Sequence, residues 1–205
     1  MTTAPTTPAL ADDSQRGSHS LQRMVGRHCV ATLILGDSET MELPTADALV
    51  SDPPYGIGYV HSGKCRVNHG MNGGKPKQPM RKHVMGDNKP FDPSRWLSYP
   101  TVILWGANHY ASKLPDKACW LAWDKHLKDH GTSFSEWEAA WTNLPAKRAR
   151  IFRHYWHGAL RAGEANAKPH LHPMQKPVEL MAWCMDVAKL PEGCTVLDPY
   201  MGSGS

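Results

Sequence analysis

Residues Leu49–Tyr59 read LVSDPPYGIGY. An apolar run ends in an acid, two adjacent prolines, a tyrosine and two spaced glycines. One proline or one glycine suffices for an ordinary turn, so this stretch holds more rigid chemistry than a chain reversal needs. The short apolar run Ala48–Val50 predicts a strand, which puts Asp52 just past its carboxyl end. Pro53 has no N–H and a fixed φ, leaving its carbonyl directed outward, and Pro54 stiffens the same corner. Asp52 and the Pro53 carbonyl are then two fixed acceptors beside the ring of Tyr55. Such a corner suits a flat group bearing an exocyclic amine, as a nucleobase does. Gly56 and Gly58 let the backbone approach closely. A rigid Pro-Pro turn in a loop is the plainer reading of this stretch taken alone.

Working outward, further apolar runs each end in turn residues: Val30–Leu35 before GDS, Thr101–Trp105 before GANHY, Trp120–Trp123 before DK, and Thr195–Leu197 before DPYMGSGS. Short continuous runs predict strands buried on both faces, as in a sheet flanked by helices. PVELMAWCMDVAKL predicts the clearest helix, with Pro177 suited to its start and Pro191 and Gly193 closing it. Its Leu180, Met181, Cys184, Val187 and Ala188 share helical spacing and are assigned to the core. SFSEWEAAWTNLP is ambiguous: propensity favours helix, while Trp137, Ala139 and Trp141 alternate as in a strand. The predicted class is α/β, a mostly parallel twisted sheet with helices on both faces. Ligands bind such sheets beyond the carboxyl ends of the strands. Asp37, Asp52, Asn108, Asp124 and Asp198 all fall there, although any one of them also suits a turn or a helix cap.

The chain has 205 residues, 40% of them hydrophobic, enough for one domain with a real core. No apolar run approaches the roughly 20 residues that span a bilayer, so no membrane association is expected. Residues 1–25 read as a flexible Thr/Pro/Ser tail without a signal-peptide pattern, and 26–205 as the folded domain. The cysteines, at 29, 65, 119, 184 and 194, form no CxxC pair, which fits a reduced cytoplasmic chain and predicts no metal. A zinc module remains a remote alternative.

Net charge is +4, unevenly spread. Pro53–Gly86 holds no acid but contains Lys64, Arg66, Lys75, Lys77, Arg81 and Lys82. Ala139–Gly163 likewise holds Lys147, Arg148, Arg150, Arg153 and Arg161 without an acid. Basic blocks are often only solvated loops, yet two of them, one abutting the Asp52 corner, favour a polyanionic partner. Residues 61–89 form a long Gly/Lys/Pro-rich loop, of a length that in a compact domain is usually functional or disordered.

The end of the chain, VLDPYMGSGS, is a second strand–acid–loop signature, whose glycines permit close backbone approach to a cofactor. Between the two signatures lies HPMQKP, His172–Pro177. Taken together, these three segments resemble the beta class of bacterial and phage DNA amino-methyltransferases that use S-adenosylmethionine. Asp52-Pro53-Pro54-Tyr55 matches that family's (D/N/S)PP(Y/F/W) motif, and Asp198-Pro199-Tyr200-Met201-Gly202-Ser203-Gly204-Ser205 its DPFxGSGT loop. His172–Pro177 resembles its HPTQKP segment. The order, catalytic motif first and cofactor loop last, is that of the beta class, and the likeness runs from about Val30 to the last residue.

The resemblance implies a Rossmann-like sheet with permuted motif order and a site-specific DNA methyltransferase acting on the N6 amine of adenine, often paired in restriction-modification. N4 of cytosine is the alternative. It implies Asp52, Pro53, Pro54 and Tyr55 as catalytic residues gripping an extruded base. It implies S-adenosylmethionine held by Asp37, His172, Gln175, Lys176, Asp198, Pro199, Tyr200, Gly202, Ser203 and Gly204, with Lys176 suiting the methionine carboxylate. Double-stranded DNA is the implied partner, and Lys64, Arg66, Lys75, Lys77, Arg81 and Lys82 are candidates to contact it. The family's pattern continues beyond the cofactor loop. The sequence therefore predicts a frayed or re-paired sheet edge and weak or no cofactor binding by these residues alone, with an inactive DNA-binding remnant as a further alternative.

Overall fold

The computed structural model describes residues 19–25, 29–61, 82–125, 135–157, 160–161 and 175–202. They fall into two compact units, Met1–Pro44 and Thr45–Ser205.

In the first unit, β1 (His19–Val25) pairs antiparallel with β2 (Cys29–Leu35), in register from His19↔Leu35 to Val25↔Cys29. Two expectations change here. Residues assigned to a tail at 1–25 supply a strand from His19 onward, because they pair in full with the apolar run that follows. The Val30–Leu35 run, expected as a doubly buried strand of the main sheet, sits in this ribbon with Val30 57% and Leu35 71% exposed.

In the second unit, β3 (Ala48–Ser51) leads to the short pair β4 (Val60–His61) and β5 (Lys82–His83). Then come β6 (Thr101–Trp105), β7 (Trp120–Asp124), β8 (Trp137–Thr142), β9 (Arg150–Arg153), and the short pair β10 (Trp156–His157) and β11 (Leu160–Arg161). Helix α1 (Val178–Ala188) and β12 (Val196–Leu197) complete it. Six strands form one mixed sheet in the order β12-β3-β6-β8-β7-β9. The β12–β3, β3–β6 and β7–β9 pairs are parallel, while β8 runs antiparallel to both neighbours. Five strands therefore point one way and only β8 points back. The fold is α/β with a mostly parallel sheet, and the Trp137–Trp141 ambiguity resolves to strand.

Helices on both faces were expected, but α1 is the single α-helix among the described residues, beside 3-10 turns at Ser94–Trp96, Ala107–His109 and Ala111–Lys113. The described residues between β3 and β6 are punctuated by glycine and proline, which cost helix about 1 and 3 kcal/mol per residue respectively, and none of them forms an α-helix. No helix among the described residues is long and apolar enough to cross a membrane.

Helix α1 has a topological task. The chain leaves β9 at one sheet edge and re-enters as β12 at the other, so the intervening segment has to cross the sheet. Leu180 and Cys184, four apart on one helix face, bury completely against Val50, Ile103, Trp105, Leu121 and Trp123. Met181, Val187 and Ala188 pack partly against the same core. On the opposite sheet face Leu49, Val102, Leu104 and Trp141 are also buried. A helix between parallel strands runs against them, so α1 begins at the carboxyl edge of the sheet. That places the residues just before it, Gln175 and Lys176, over the strand ends.

Candidate functional site

Asp52 follows β3 directly, and Asp198 follows β12, the neighbouring parallel strand. Ser51 donates its hydroxyl to Asp198 Oδ1 at 2.5 Å, and the Tyr200 amide donates to the same oxygen at 3.0 Å. Two separately recognised acids thus meet at one sheet edge. Asp124 ends β7 and Asn108 lies past β6 at this edge too. Asp37 belongs to the other unit, where its carboxylate accepts from the Glu39 amide at 3.0 Å as a turn-forming acid does.

The corner itself is tightly held. Tyr55 donates its hydroxyl to Asp52 Oδ1 at 2.5 Å, and its ring stacks on His109 with centroids 4.9 Å apart and planes 14° from parallel. Gly106 has φ +71°, and a Cβ there would lie 1.9 Å from the Tyr55 ring, so only glycine admits this packing. Gly56, at φ +78°, would drive a Cβ to 2.4 Å from the Lys89 carbonyl oxygen. Asp87, only 3% exposed, closes the loop after Tyr55: its carboxylate accepts from the amides of Gly56 (2.7 Å), Ile57 (3.2 Å) and Tyr59 (2.6 Å). Asp87 sits in a polar stretch without periodicity, so nothing local marks it as this clamp.

Lys176 is 5% exposed and places its ammonium 2.6 Å from Asp52 Oδ2, 3.1 Å from the Tyr55 hydroxyl and 3.0 Å from Glu138 Oε2. Glu138 Oε1 meets Lys125 Nζ at 2.5 Å. The result is an alternating chain of charges, Lys125–Glu138–Lys176–Asp52, with Tyr55 at its end. Glu138 and Lys125 were not singled out from the sequence. Glu138 is second in β8, and because that strand runs antiparallel, its start lies where the others finish: Glu138 pairs with Trp123 near the end of β7.

Charge states follow from this packing. Burial pushes the Asp52 carboxyl up, Lys176 pulls it down and Glu138 pushes it up again, leaving it above its usual value. Burial would also raise Glu138, but Lys176 and Lys125 outweigh it and hold its pKa down at about 2. Burial opposes the charge on Lys176, yet its two carboxylates raise its pKa. Burial, with Asp52 beside it, raises the Tyr55 hydroxyl well above its ordinary range, so Tyr55 remains a donor.

Of the other candidates, Pro53 is buried, Pro54, Gln175 and Pro199 are half-buried, and Tyr200 packs edge-on against Phe91 and Trp96. Gly202 has φ +55°. Lys82 lies in β5, paired with His61. His172, Ser203, Gly204, Lys64, Arg66, Lys75, Lys77 and Arg81 lie outside the described residues. No protein-family model matches the chain, and no curated protein or solved structure is detectably similar to it.

Proposed function

We propose that this chain is a beta-class DNA amino-methyltransferase with a Rossmann-like sheet, directed at the N6 amine of adenine in double-stranded DNA. The observation that carries this reading is the meeting of Asp52-Pro53-Pro54-Tyr55 with Asp198 at adjacent parallel strand ends, joined through Ser51. S-adenosylmethionine fits the residues present. Asp198 lies just past the carboxyl end of β12, and Gly202, four residues on, adopts the left-handed region that lets backbone approach a ligand. Asp198, Pro199, Tyr200 and Gly202 would hold the cofactor, with His172, Gln175, Ser203 and Gly204 added by the motif match. When bound, the cofactor supplies an electrophilic methyl group.

The protein's own task is to present the amine. Asp52 and the Pro53 carbonyl accept its two hydrogens, which draws the nitrogen lone pair away from the ring and towards the donor. A base packing on Tyr55 takes the ring face opposite His109. Lys176 serves Asp52 in this arrangement, not the cofactor carboxylate. The basic block after Tyr59 would contact phosphates.

The purified chain, given labelled S-adenosylmethionine and mixed-sequence DNA, is expected to yield N6-methyladenine on nucleoside mass analysis. Asp52→Ala and Tyr55→Ala should each lower transfer by at least about a hundredfold; undiminished turnover in both overturns the assigned roles. N4-methylcytosine as the product would correct the base. DNA binding without transfer would establish the second reading, an inactive remnant, which the internal bonding of both Asp52 oxygens favours.

A further inference from the structure

Both oxygens of Asp52 already have protein partners, Tyr55 on Oδ1 and Lys176 on Oδ2. An amine arriving at Asp52 therefore has to replace one of them. Tyr55 is fixed by its stack on His109 and its seat over Gly106. Lys176 differs, because its ammonium is shared between two carboxylates on different elements, 2.6 Å from Asp52 and 3.0 Å from Glu138. A buried ammonium that gave up its only carboxylate would be left an uncompensated charge, which is strongly unfavourable. One that retains a second carboxylate avoids that penalty.

We propose that Glu138 is a positioning residue that makes Lys176 an exchangeable counter-ion of Asp52, retaining the ammonium while Asp52 accepts the substrate amine. This rests on the methyltransferase reading. Lys125, on the other oxygen of Glu138, sets how strongly Glu138 draws Lys176. The charged and titratable groups acting on Asp52 are Lys176 ahead of α1, Glu138 on β8 and the neighbouring Tyr55, with Tyr110 after β6 and Asp198 after β12 also sensing its charge. Removing the negative charge at 138 commits Lys176 to Asp52. Removing the positive charge at 125 draws Lys176 towards Glu138.

The two substitutions should therefore shift Asp52 in opposite senses, and the exchange itself is read in KM. In carboxylate carbon-13 NMR of the full chain, Glu138→Gln should move the Asp52 titration midpoint to lower pH and Lys125→Gln to higher pH. In the methylation assay, Glu138→Gln should raise KM for DNA about tenfold with kcat nearly unchanged, since one charge-assisted contact is lost on substrate entry. Lys125→Gln should not raise KM. Circular dichroism confirms that each variant is folded, and Lys125→Arg, which keeps the charge, should behave as the unsubstituted chain. Midpoints that stay put or move together overturn the inference whatever the DNA assay gives. An unchanged KM in an active Glu138→Gln chain overturns it while leaving the methyltransferase reading intact. An unsubstituted chain that methylates neither base overturns that reading and with it the exchange at substrate entry.

Discussion

The ribbon β1–β2 and the strand β3 start from the same kind of sequence and end in opposite environments. Leu33, Ile34 and Leu35 in β2 are 42%, 37% and 71% exposed, whereas Ala48 and Leu49 in β3 are fully buried and Val50 is 6% exposed. Neither hydrophobicity nor β-propensity separates the two runs. β3 has a parallel partner on each side and α1 packed over its face at Val50, whereas β2 pairs with β1 alone among the described residues. An apolar run records the capacity to be buried. Its pairing and the layer above it decide whether burial happens.

The comparison can be broken at several points. Lys176→Met should cost the most, about 3–5 kcal/mol, because it leaves Asp52 and Glu138 facing each other without their shared cation. All eight tryptophans lie beyond Pro44, so denaturant unfolding followed by tryptophan fluorescence reads the sheet unit specifically. Next, Leu180→Ala should cost about 2–4 kcal/mol by opening a cavity under α1. Leu33→Ala in the ribbon should stay within about 0.5 kcal/mol, as exposed positions do. Similar losses at 180 and 33, by the same denaturant midpoints, would erase the distinction between the regions.

Acid provides a smaller perturbation. Glu138 has its native pKa held at about 2, below the ordinary 4.5, so its stabilising contribution is complete above pH 4.5 and disappears as pH falls towards 2. Asp52 has the opposite sign. Its native pKa is raised above 3.8, so its contribution is complete below 3.8 and is lost as pH rises through the native value. Stability measured against pH should therefore fall on acidification in the unsubstituted chain and fall less steeply in Glu138→Gln.

A gain instead of a loss is expected at the end of α1. Lys189 adopts φ +53°, while the Lys189 and Leu190 amides donate to the Asp186 and Met185 carbonyls, a helix ending that usually takes glycine. Lys189→Gly should raise stability by about 0.5–1 kcal/mol in the same denaturant assay, by relieving left-handed strain at a non-glycine residue.

Much of the sheet unit could be read in advance. The runs at 48–50, 101–105 and 120–123 are strands, and the Leu180/Cys184 spacing marks the buried helix face. The acids Asp52 and Asp198 were legible because each directly follows an apolar run, and a strand's carboxyl end is where a parallel sheet leaves polar groups together. Residues 137–142 were not legible as a strand, since alternation and helical propensity conflict there. The assignment of 30–35 to the main sheet failed because nothing local encodes which strand will pair with which.

The rigid corner at 52–55, the acid-and-glycine loop at 198–202 and the helix between 177 and 190 are each written in neighbouring residues, and local chemistry suffices to place them. The ion-pair chain was decided only by tertiary structure. Lys176 and Asp52 are 124 positions apart, and Glu138 joins them because β8 alone runs backwards. Short-range periodicity specifies which residues can turn inward. Strand direction and order, set by the packing of the whole sheet, specify which charges are then forced to meet.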